Sequence, residues 1–338
     1  MSEQVSKNIT QLPVIDVSAF GAEGSSDRER DEVAEQLDAS LREIGFFFLT
    51  GHGVRAATRE AMFAATREFF ALPLERKEAI AISRSPIHRG YVGLASETLD
   101  SANPVAGDLK EFLDTAGEQG PDHPEVVAGT PLFGPNQFPD LPGFRAAWER
   151  YRSEGIAAIE RVQRAMARAL GLPDEYLLEL PGGETMYYMR NAHYPPQHTH
   201  PPTEGQLGCG AHTDYGAVTL LVEEGSGGLQ VMRRDGEWID VAIPSDLFVV
   251  NLGDMIPILT NGRWVSNPHR VISPPDRHRY SVGLFAVPPF HANIACLPKF
   301  LGPGETPRYK PQIAGEYLLS RFDATHSYRN PLLASRVE

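Results

Sequence analysis

Cysteine is scarce in this chain of 338 residues, which contains only Cys209 and Cys296 and no Cys-x-x-Cys pair. Two cysteines cannot make the multi-bridge framework that holds small secreted domains together. We therefore expect a protein that is stabilised by its hydrophobic core and that resides in a reducing compartment, the cytoplasm.

Strong positive charge and long apolar runs are absent as well. The chain has 31 Lys and Arg against 44 Asp and Glu, a formal net charge of −13, which argues against nucleic acid or an anionic membrane as a partner. No stretch approaches 18 consecutive apolar residues, so we expect no membrane span. The first ten residues are polar and lack the apolar core of a signal peptide.

The composition that remains is that of a globular protein, with 41% hydrophobic and 22% charged residues, enough to bury a substantial core. The length allows one large domain or two small ones. Helical spacing of apolar residues dominates the first half and is strongest over residues 144–170. From Glu184 onward, short apolar segments alternate with turn residues, which indicates a β-sandwich or barrel.

Residues 211–221 carry the most chemical information, because a histidine and an aspartate stand two residues apart in an apolar segment. Residues i and i+2 of a β-strand point to the same face, so His212 and Asp214 can face one cavity. The best candidate for a third ligand is His269. Two histidines and one carboxylate on one side of a metal form the facial triad of non-haem Fe(II) oxygenases.

Arg279 and Ser281 follow ten and twelve residues after His269 and share one strand face by the same spacing. A guanidinium can hold a carboxylate in two parallel hydrogen bonds, and a serine hydroxyl adds a third. This pair therefore predicts a site for a dicarboxylate co-substrate beside the metal.

The ordered series His212, Asp214, His269, Arg279 and Ser281 resembles the 2-oxoglutarate/Fe(II)-dependent dioxygenases of the isopenicillin-N-synthase-like family. The resemblance implies an α+β, mainly β fold: a double-stranded β-helix (jelly roll) core with supporting N-terminal and central helices. It also implies one domain over residues 1–338. Its parts would be an N-terminal region at about 12–115, a catalytic region at about 184–290 and a tail at 291–338 that folds over the pocket.

The same resemblance implies the chemistry. Fe(II) and O2 would couple the oxidative decarboxylation of 2-oxoglutarate, to succinate and CO2, with hydroxylation, desaturation or ring formation of a small-molecule substrate. Residues 191–196 resemble the Asn-x-Tyr-Pro-Pro segment of the family, which places Tyr194 near the C1 carboxylate of 2-oxoglutarate. Ala192 stands where the family has asparagine, and Asn191 falls on the opposite strand face.

Two other classes of protein stay open. An oxidase of the same fold can work without 2-oxoglutarate, as isopenicillin N synthase and the plant ethylene-forming oxidase do, and both carry an Arg-x-Ser pair. Succinate formation coupled to substrate loss separates the two. A non-catalytic β-sandwich binding module is the second alternative, and Fe(II) binding with O2 consumption would exclude it. We expect a monomer.

Several other histidines receive a structural or surface interpretation. His52, between two glycines, is expected to have a structural role at a strand end, and the proline-flanked His198 and His200 are expected in a surface loop. His278 and His291 compete with His269 as a metal ligand. However, His278 lies in a charged turn and His291 lies beyond the co-substrate strand.

The substrate has no signature in the sequence. Arg89, Lys110 and Arg190 are basic residues near the expected pocket of an otherwise acidic chain. They favour an anionic small molecule as the substrate, and the alternative is that each of them is a surface or salt-bridged residue.

Overall fold

A computed structural model describes residues 11–22, 24–100, 107–224, 227–326 and 328–329. Within these ranges the chain forms two facing β-sheets that are supported on one side by helices, together with a separate two-stranded sheet. None of the helices in this part of the chain is long and apolar enough to cross a membrane.

The first half of the chain is mainly helical and the second half mainly β. The helices are α1 (Asp27–Glu43), α2 (Ala56–Phe70), α3 (Leu74–Glu78), α4 (Pro124–Val127), α5 (Phe144–Ala169), α6 (Met255–Leu259) and α7 (Ala314–Thr325). The strands are β1 (Val14–Asp16), β2 (Phe46–Thr50), β3 (Gly90–Val92), β4 (Glu111–Ala116), β5 (Met186–Tyr194), β6 (Cys209–His212), β7 (Val218–Glu223), β8 (Leu229–Met232), β9 (Trp238–Val241), β10 (Phe248–Leu252), β11 (His269–Val271), β12 (Arg279–Val287), β13 (Asn293–Ile294) and β14 (Gln312–Ile313).

Eight strands form the larger sheet, in the order β1-β2-β10-β7-β12-β5-β4-β3, and four form the smaller, in the order β6-β11-β8-β9. Neighbours in both sheets are antiparallel except for the pair β1 and β2. A cavity lined by side chains from both sheets lies between them. The expected α+β, mainly β fold with a jelly-roll core is thus confirmed.

Helices α1, α2 and α5 pack on the face of the large sheet that points away from the cavity. Helix α5 carries the predicted apolar stripe and buries Trp148, Tyr151 and Ile159 against the sheet, with α1 and α2 beside it. Helix α1 begins with a capping box: the Ser26 side chain accepts from the Glu29 backbone N–H, and the Glu29 carboxylate accepts from the Ser26 backbone N–H. This helical layer supports the larger sheet on the face opposite the cavity.

One dipeptide differs from what its sequence predicts. Asn261 and Gly262 are typical of a hairpin turn, but they follow the short helix α6, with φ of 52° and 77°. Left-handed residues close helices as well as hairpins, so the dipeptide alone could not distinguish them. Strand β5 runs to Tyr194, which agrees with the expectation that Asn191 lies in a strand, because β5 pairs with β12 over its whole length.

Candidate active site

His212 and His269 meet because their strands pair in register. Strands β6 and β11 are antiparallel neighbours in the smaller sheet, and these two residues lie directly opposite each other. Their ring centroids are 4.2 Å apart. Each ring directs Nδ1 at a backbone oxygen: His212 at Gly210, 2.8 Å away, and His269 at Asn267, 3.4 Å away. With Nδ1–H donating there, both Nε2 lone pairs stay available for a metal.

Asp214 completes the group from just beyond the end of β6. The expectation of one continuous strand was wrong here, because β6 ends at His212 and Asp214 forms an isolated bridge with Gly253. The carboxylate still faces the rings: its Oδ1 lies 3.8 Å from His212 Nε2 and 3.7 Å from His269 Nε2.

Two donors hold the Asp214 carboxylate in this orientation. Thr219 Oγ1 and Asn251 Nδ2 both donate to Oδ2, at 2.5 and 2.6 Å, and leave Oδ1 facing the histidines. Burial alone would raise the pKa of Asp214, but the adjoining rings and these two donors hold it below its ordinary value. The aspartate is therefore ionised at neutral pH.

The electrostatics of the group suit a divalent cation. Burial is the main cause that lowers the pKa of His269 to about 4, so that ring is neutral and can act as a ligand. The ligand atoms of His212, Asp214 and His269 all lie within 4.8 Å of one another. Two imidazole nitrogens and one carboxylate oxygen on the wall of an open cavity fit the donor set of a non-haem Fe(II) site.

Arg279 and Ser281 line the same cavity from β12. Arg279 Nε donates to the Gly227 carbonyl at 2.9 Å, whereas Nη1 and Nη2 are buried without a hydrogen-bond acceptor among the described residues. A buried donor without a partner costs about 1–3 kcal/mol. Nη1 and Nη2 of this guanidinium therefore keep N–H groups that fit a carboxylate, and Nη2 also has the buried Glu223 as an ion-pair partner.

Glu223 is a site residue that the sequence analysis missed. Its side chain is fully buried, and Oε2 lies 2.5 Å from Arg279 Nη2, although the angle between them is too poor for a hydrogen bond. Its other oxygen accepts from the Gly227 backbone N–H at 2.9 Å. A lone acid at the end of an apolar strand, here β7, was the signal that could have revealed it.

The segment around Tyr194 lines the cavity, and Tyr194 lies beside Arg279 and not at the C1 carboxylate position that the family resemblance implies. Tyr194 faces the cavity directly opposite Arg279, whose guanidinium carbon lies 4.6 Å from the ring centroid. Ala192 also lines the cavity, opposite Ser281. Asn191 points away from it and donates to Thr66 Oγ1 at 2.7 Å. No asparagine amide from this segment therefore reaches the cavity.

The other histidines have structural partners. His52 accepts from the Val54 backbone N–H through Nδ1 at 3.0 Å, in agreement with the expected structural role. The competing candidates lie elsewhere: His278 Nδ1 is 2.7 Å from His193 Nε2, and His291 Nε2 is 3.1 Å from Glu125. His269 is the only one of the three candidates that lies beside His212 and Asp214.

A second group of possible ligands, His88, Asp114 and His326, also brings its ligand atoms within 4.8 Å. Both oxygens of Asp114 already accept from Arg190, at 2.8 Å each. A guanidinium on the carboxylate competes directly with a metal cation. This group is therefore weaker than the triad as a metal site.

The expectation that Arg89, Lys110 and Arg190 attract an anionic molecule was wrong. Arg89 is absent from the cavity lining and donates to the Ile87, His88 and Leu132 carbonyls. Lys110 and Arg190 do line the cavity, but both are ion-paired with buried carboxylates. Sequence position alone could not reveal these partners.

Comparisons with known proteins agree with this geometry. Residues 186–288 match the family described as the 2OG-Fe(II) oxygenase superfamily, and residues 12–141 match a region described as non-haem dioxygenase in morphine synthesis N-terminal. A 2-oxoglutarate-Fe(II) type oxidoreductase of Emericella nidulans is 36% identical over 309 residues, which cover 89% of this chain and 86% of that protein.

Two further relatives indicate the range of substrates. A homoarginine-6-hydroxylase of Arabidopsis thaliana is 34% identical over 327 residues, which cover 92% of this chain and 96% of that protein. A full-length Neurospora crassa protein crystallised with alpha-ketoglutarate (2-oxoglutarate) superposes with a TM-score of 0.79 at 29% identity, over 95% of this chain and 99% of that one. The same protein was also crystallised with thymine.

Proposed function

This chain belongs to the 2OG-Fe(II) oxygenase superfamily, and from that premise we propose that His212, Asp214 and His269 hold its iron. It is a 2-oxoglutarate-dependent dioxygenase that uses Fe(II) and O2, and relatives named for 2-oxoglutarate do not favour the oxidase alternative. The observation that carries the assignment is the convergence of two imidazole Nε2 atoms on the free oxygen of one fixed carboxylate.

We further propose that Arg279 and Ser281 bind the far carboxylate of 2-oxoglutarate. The Nη1 and Nη2 atoms of Arg279, of which Nη2 is also ion-paired with Glu223, would donate to its two oxygens, and the Ser281 hydroxyl would add a neutral donor. Tyr194 would cover this end of the cavity beside the guanidinium. When bound, the iron would supply the centre at which O2 oxidises 2-oxoglutarate, to succinate and CO2, together with the substrate.

The residues of the chain have three tasks in this reaction. Thr219 and Asn251 hold the Asp214 carboxylate in one orientation, so the ligand set is formed before the metal binds. Arg279 and Ser281 fix the position of 2-oxoglutarate relative to that set. The two sheets shield the reacting groups from bulk water, because the ligands lie between them.

Succinate release tests the function, and metal binding tests the assignment. We expect the protein to release succinate only when Fe(II), 2-oxoglutarate and O2 are all present, and a fitting substrate should accelerate the release. His269→Gln should abolish Fe(II) binding in anaerobic calorimetry, whereas the exposed control His291→Gln should bind like the parent. Full Fe(II) affinity in His269→Gln would refute the assignment.

A further inference from the structure

The cavity extends well beyond the proposed iron and co-substrate sites. Along the paired strands β5 and β12, Arg279 faces Tyr194, whereas Gly283 faces Arg190. These two positions are four residues apart, roughly 13 Å at about 3.3 Å per residue. We call the part lined by His212, Asp214, His269, Arg279 and Ser281 the iron end. The part lined by Glu97, Lys110, Asp114 and Arg190 is the charged end.

Arg190 is fully engaged at the charged end. Its Nε and Nη2 donate to the two oxygens of Asp114 at 2.8 Å each, and Nη1 donates to Glu97 at 3.2 Å. One face of the guanidinium lies 3.7 Å from the centroid of the Phe112 ring. All three nitrogen atoms therefore already donate, so Arg190 is poorly placed to receive a substrate carboxylate.

Lys110 is engaged in the same way. Its Nζ contacts Asp108 at 2.6 Å, Glu97 at 2.8 Å and the Cys209 thiol at 3.3 Å, which accounts for the three hydrogens of an ammonium group. The side chain is 2% exposed. No donor of Lys110 is left for a ligand in the cavity.

Asp114, in contrast, keeps acceptor capacity. An ionised carboxylate has about four lone-pair sites, and among the described residues only the two bonds from Arg190 use those of Asp114. Glu97 has no such capacity left, because Lys110, Arg190 and His326 contact its two oxygens. Burial would raise the pKa of Glu97, but Arg190 and Lys110 hold it well below its ordinary value, so Glu97 is ionised. Burial lowers the pKa of His326, so that ring adds no charge. Three acids, Glu97, Asp108 and Asp114, therefore stand against two cations, which leaves one formal negative charge.

A cation with no acidic partner lies next to this end. Among the residues that the structure describes, Arg321 of α7 forms no ion pair, and its Nε is buried without an acceptor. Its guanidinium carbon lies 5.0 Å from the ring centroid of Tyr215, which lines the cavity. Leu318 and Phe322 of α7 line the cavity, whereas Arg321, between them in the chain, does not, so its guanidinium lies beside the cavity wall at Tyr215.

We propose that the primary substrate is a small zwitterion, with a cationic nitrogen group at Asp114 and a carboxylate directed at Arg321. The excess negative charge would bind an ammonium, amidinium or guanidinium group, and the unpaired guanidinium of Arg321 would bind the acid. A dianion would face a net repulsive wall at the charged end. This inference rests on the proposed function, because it assigns the iron end to the metal and 2-oxoglutarate.

Calorimetry on the protein loaded with Fe(II) and 2-oxoglutarate, without O2, tests the charge requirement. The probes are L-arginine and L-lysine, the neutral isostere L-citrulline, the decarboxylated amine agmatine and the acid L-glutamate. We expect a basic amino acid to bind at least about tenfold more tightly than the uncharged or acidic probe, since one charge-assisted hydrogen bond is worth about that much. Equal or tighter binding of L-glutamate or L-citrulline would overturn the proposal.

Arg321→Gln separates the two halves of the recognition; it breaks no ion pair of the described residues but removes the guanidinium from the Tyr215 ring, so thermal unfolding is measured beside binding. In this variant the advantage of L-arginine over agmatine should fall about tenfold, while agmatine binding stays unchanged. The control Arg308→Gln, at an exposed position of the tail, should keep the parent preference. An unchanged preference in Arg321→Gln would refute the role of Arg321.

The failure of this inference differs from the failure of the proposed function. Without any primary substrate, and with ascorbate added as the two-electron reductant that takes the place of the substrate, the parent protein should still convert 2-oxoglutarate slowly to succinate. If it does so and no basic probe binds, the zwitterion proposal is wrong and the dioxygenase assignment stands. If 2-oxoglutarate is neither bound nor consumed, the proposed function itself fails.

Discussion

At the iron end, His212 and His269 occupy one cross-strand pair and Asp214 lies two residues beyond the first of them. At the charged end, lined by Glu97, Lys110, Asp114 and Arg190, the side chains come from loops and from two strands of the larger sheet, and the tail helix α7 lies beside them. The pairing of strands fixes the positions of the side chains at the iron end. The positions at the charged end depend on connections that tolerate insertions and substitutions at low cost to the fold.

The difference in construction between the two ends corresponds to a difference in function. A reaction that is common to many relatives needs one constant ligand geometry, and paired strands supply it. Substrates differ among the relatives, which include a homoarginine hydroxylase and a protein crystallised with thymine. Loops and a terminal helix can change without disturbing the ligands. We therefore expect mutations at the iron end to affect every substrate, and mutations at the charged end to affect selectivity.

Asp214→Ala should give the largest effect and is the direct test of the iron end. It removes the carboxylate on which both histidines converge, so Fe(II) binding and succinate release should be lost together. Thr219 and Asn251 would lose their acceptor, which should cost about 1–3 kcal/mol of folding stability but leave the fold intact. Calorimetry and thermal unfolding measure the two effects.

Asp240→Ala is the matched control for Asp214→Ala, because it removes an exposed aspartate from the smaller sheet. It should bind Fe(II) like the parent. If Asp214→Ala retained parental turnover, the iron end would have to be sought elsewhere in the cavity.

Arg279→Lys should weaken 2-oxoglutarate while leaving the metal in place. Lysine keeps the charge but loses the planar pair of N–H groups. The loss of one charge-assisted bond costs about 1.5–3 kcal/mol, which corresponds to a roughly ten- to 150-fold rise in KM for 2-oxoglutarate. Ser281→Ala removes a neutral donor and should raise the same KM less, by about tenfold at most.

Steady-state kinetics with varied 2-oxoglutarate, together with Fe(II) calorimetry, measure the effect of Arg279→Lys. The exposed Arg277→Lys serves as the control on the preceding turn. An unchanged KM in Arg279→Lys would show that the far carboxylate of 2-oxoglutarate binds at another residue.

The iron end was predictable from sequence because its residues follow short-range rules. A strand with period two brings Arg279 and Ser281 to one face, and the residue types of His212, Asp214 and His269 restrict the possible chemistry. The resemblance to a family added the order of these residues along the chain. What it could not add was the strand end at His212, because an isolated bridge replaces the regular ladder there.

The charged end was not predictable, because its properties depend on contacts between distant segments. Arg190 is an isolated cation in the sequence, and only the pairing of β4 with β5 places it opposite Asp114. Lys110 is likewise neutralised by Glu97, which lies on a loop thirteen residues earlier. The sequence alone therefore indicated positive charge at this end, whereas the acidic partners in the structure make the charge negative.

Asn251→Ala should produce an intermediate effect. It tests a residue that supports a proposed metal ligand without being a ligand itself. Asn251 does not belong to the proposed ligand set, but it donates to the Asp214 oxygen that faces away from the histidines. Loss of such an outer partner lowers metal affinity by about 10- to 100-fold. Calorimetry with Fe(II) measures this loss, and the exposed Asn293→Ala should show none. Parental metal affinity in Asn251→Ala would mean that Thr219 alone orients the carboxylate.

Gly283→Ala should give the smallest effect, and it tests whether the two ends are separable. The new methyl group would lie 3.0 Å from the Phe285 ring, which lines the cavity, and 3.7 Å from a Leu221 methyl group. The Phe285 ring must shift to make room for the methyl group, and a displaced ring would change the space next to Arg190. One methylene group in a binding pocket changes the free energy of binding by about 1–3 kcal/mol. We expect an effect near the low end of this range, about a tenfold rise in KM for the primary substrate.

The same substitution should leave the iron end unaffected, because Gly283 lies one pleat beyond Ser281 and contacts none of the proposed ligands. KM for 2-oxoglutarate and affinity for Fe(II) should therefore equal the parental values in kinetics and calorimetry. Gly120→Ala, where a methyl group meets nothing within 4 Å, controls for the general effect of replacing glycine. Equal losses for 2-oxoglutarate and for the substrate in Gly283→Ala would contradict the separation, because they would show that strain at the charged end reaches Arg279 along β12.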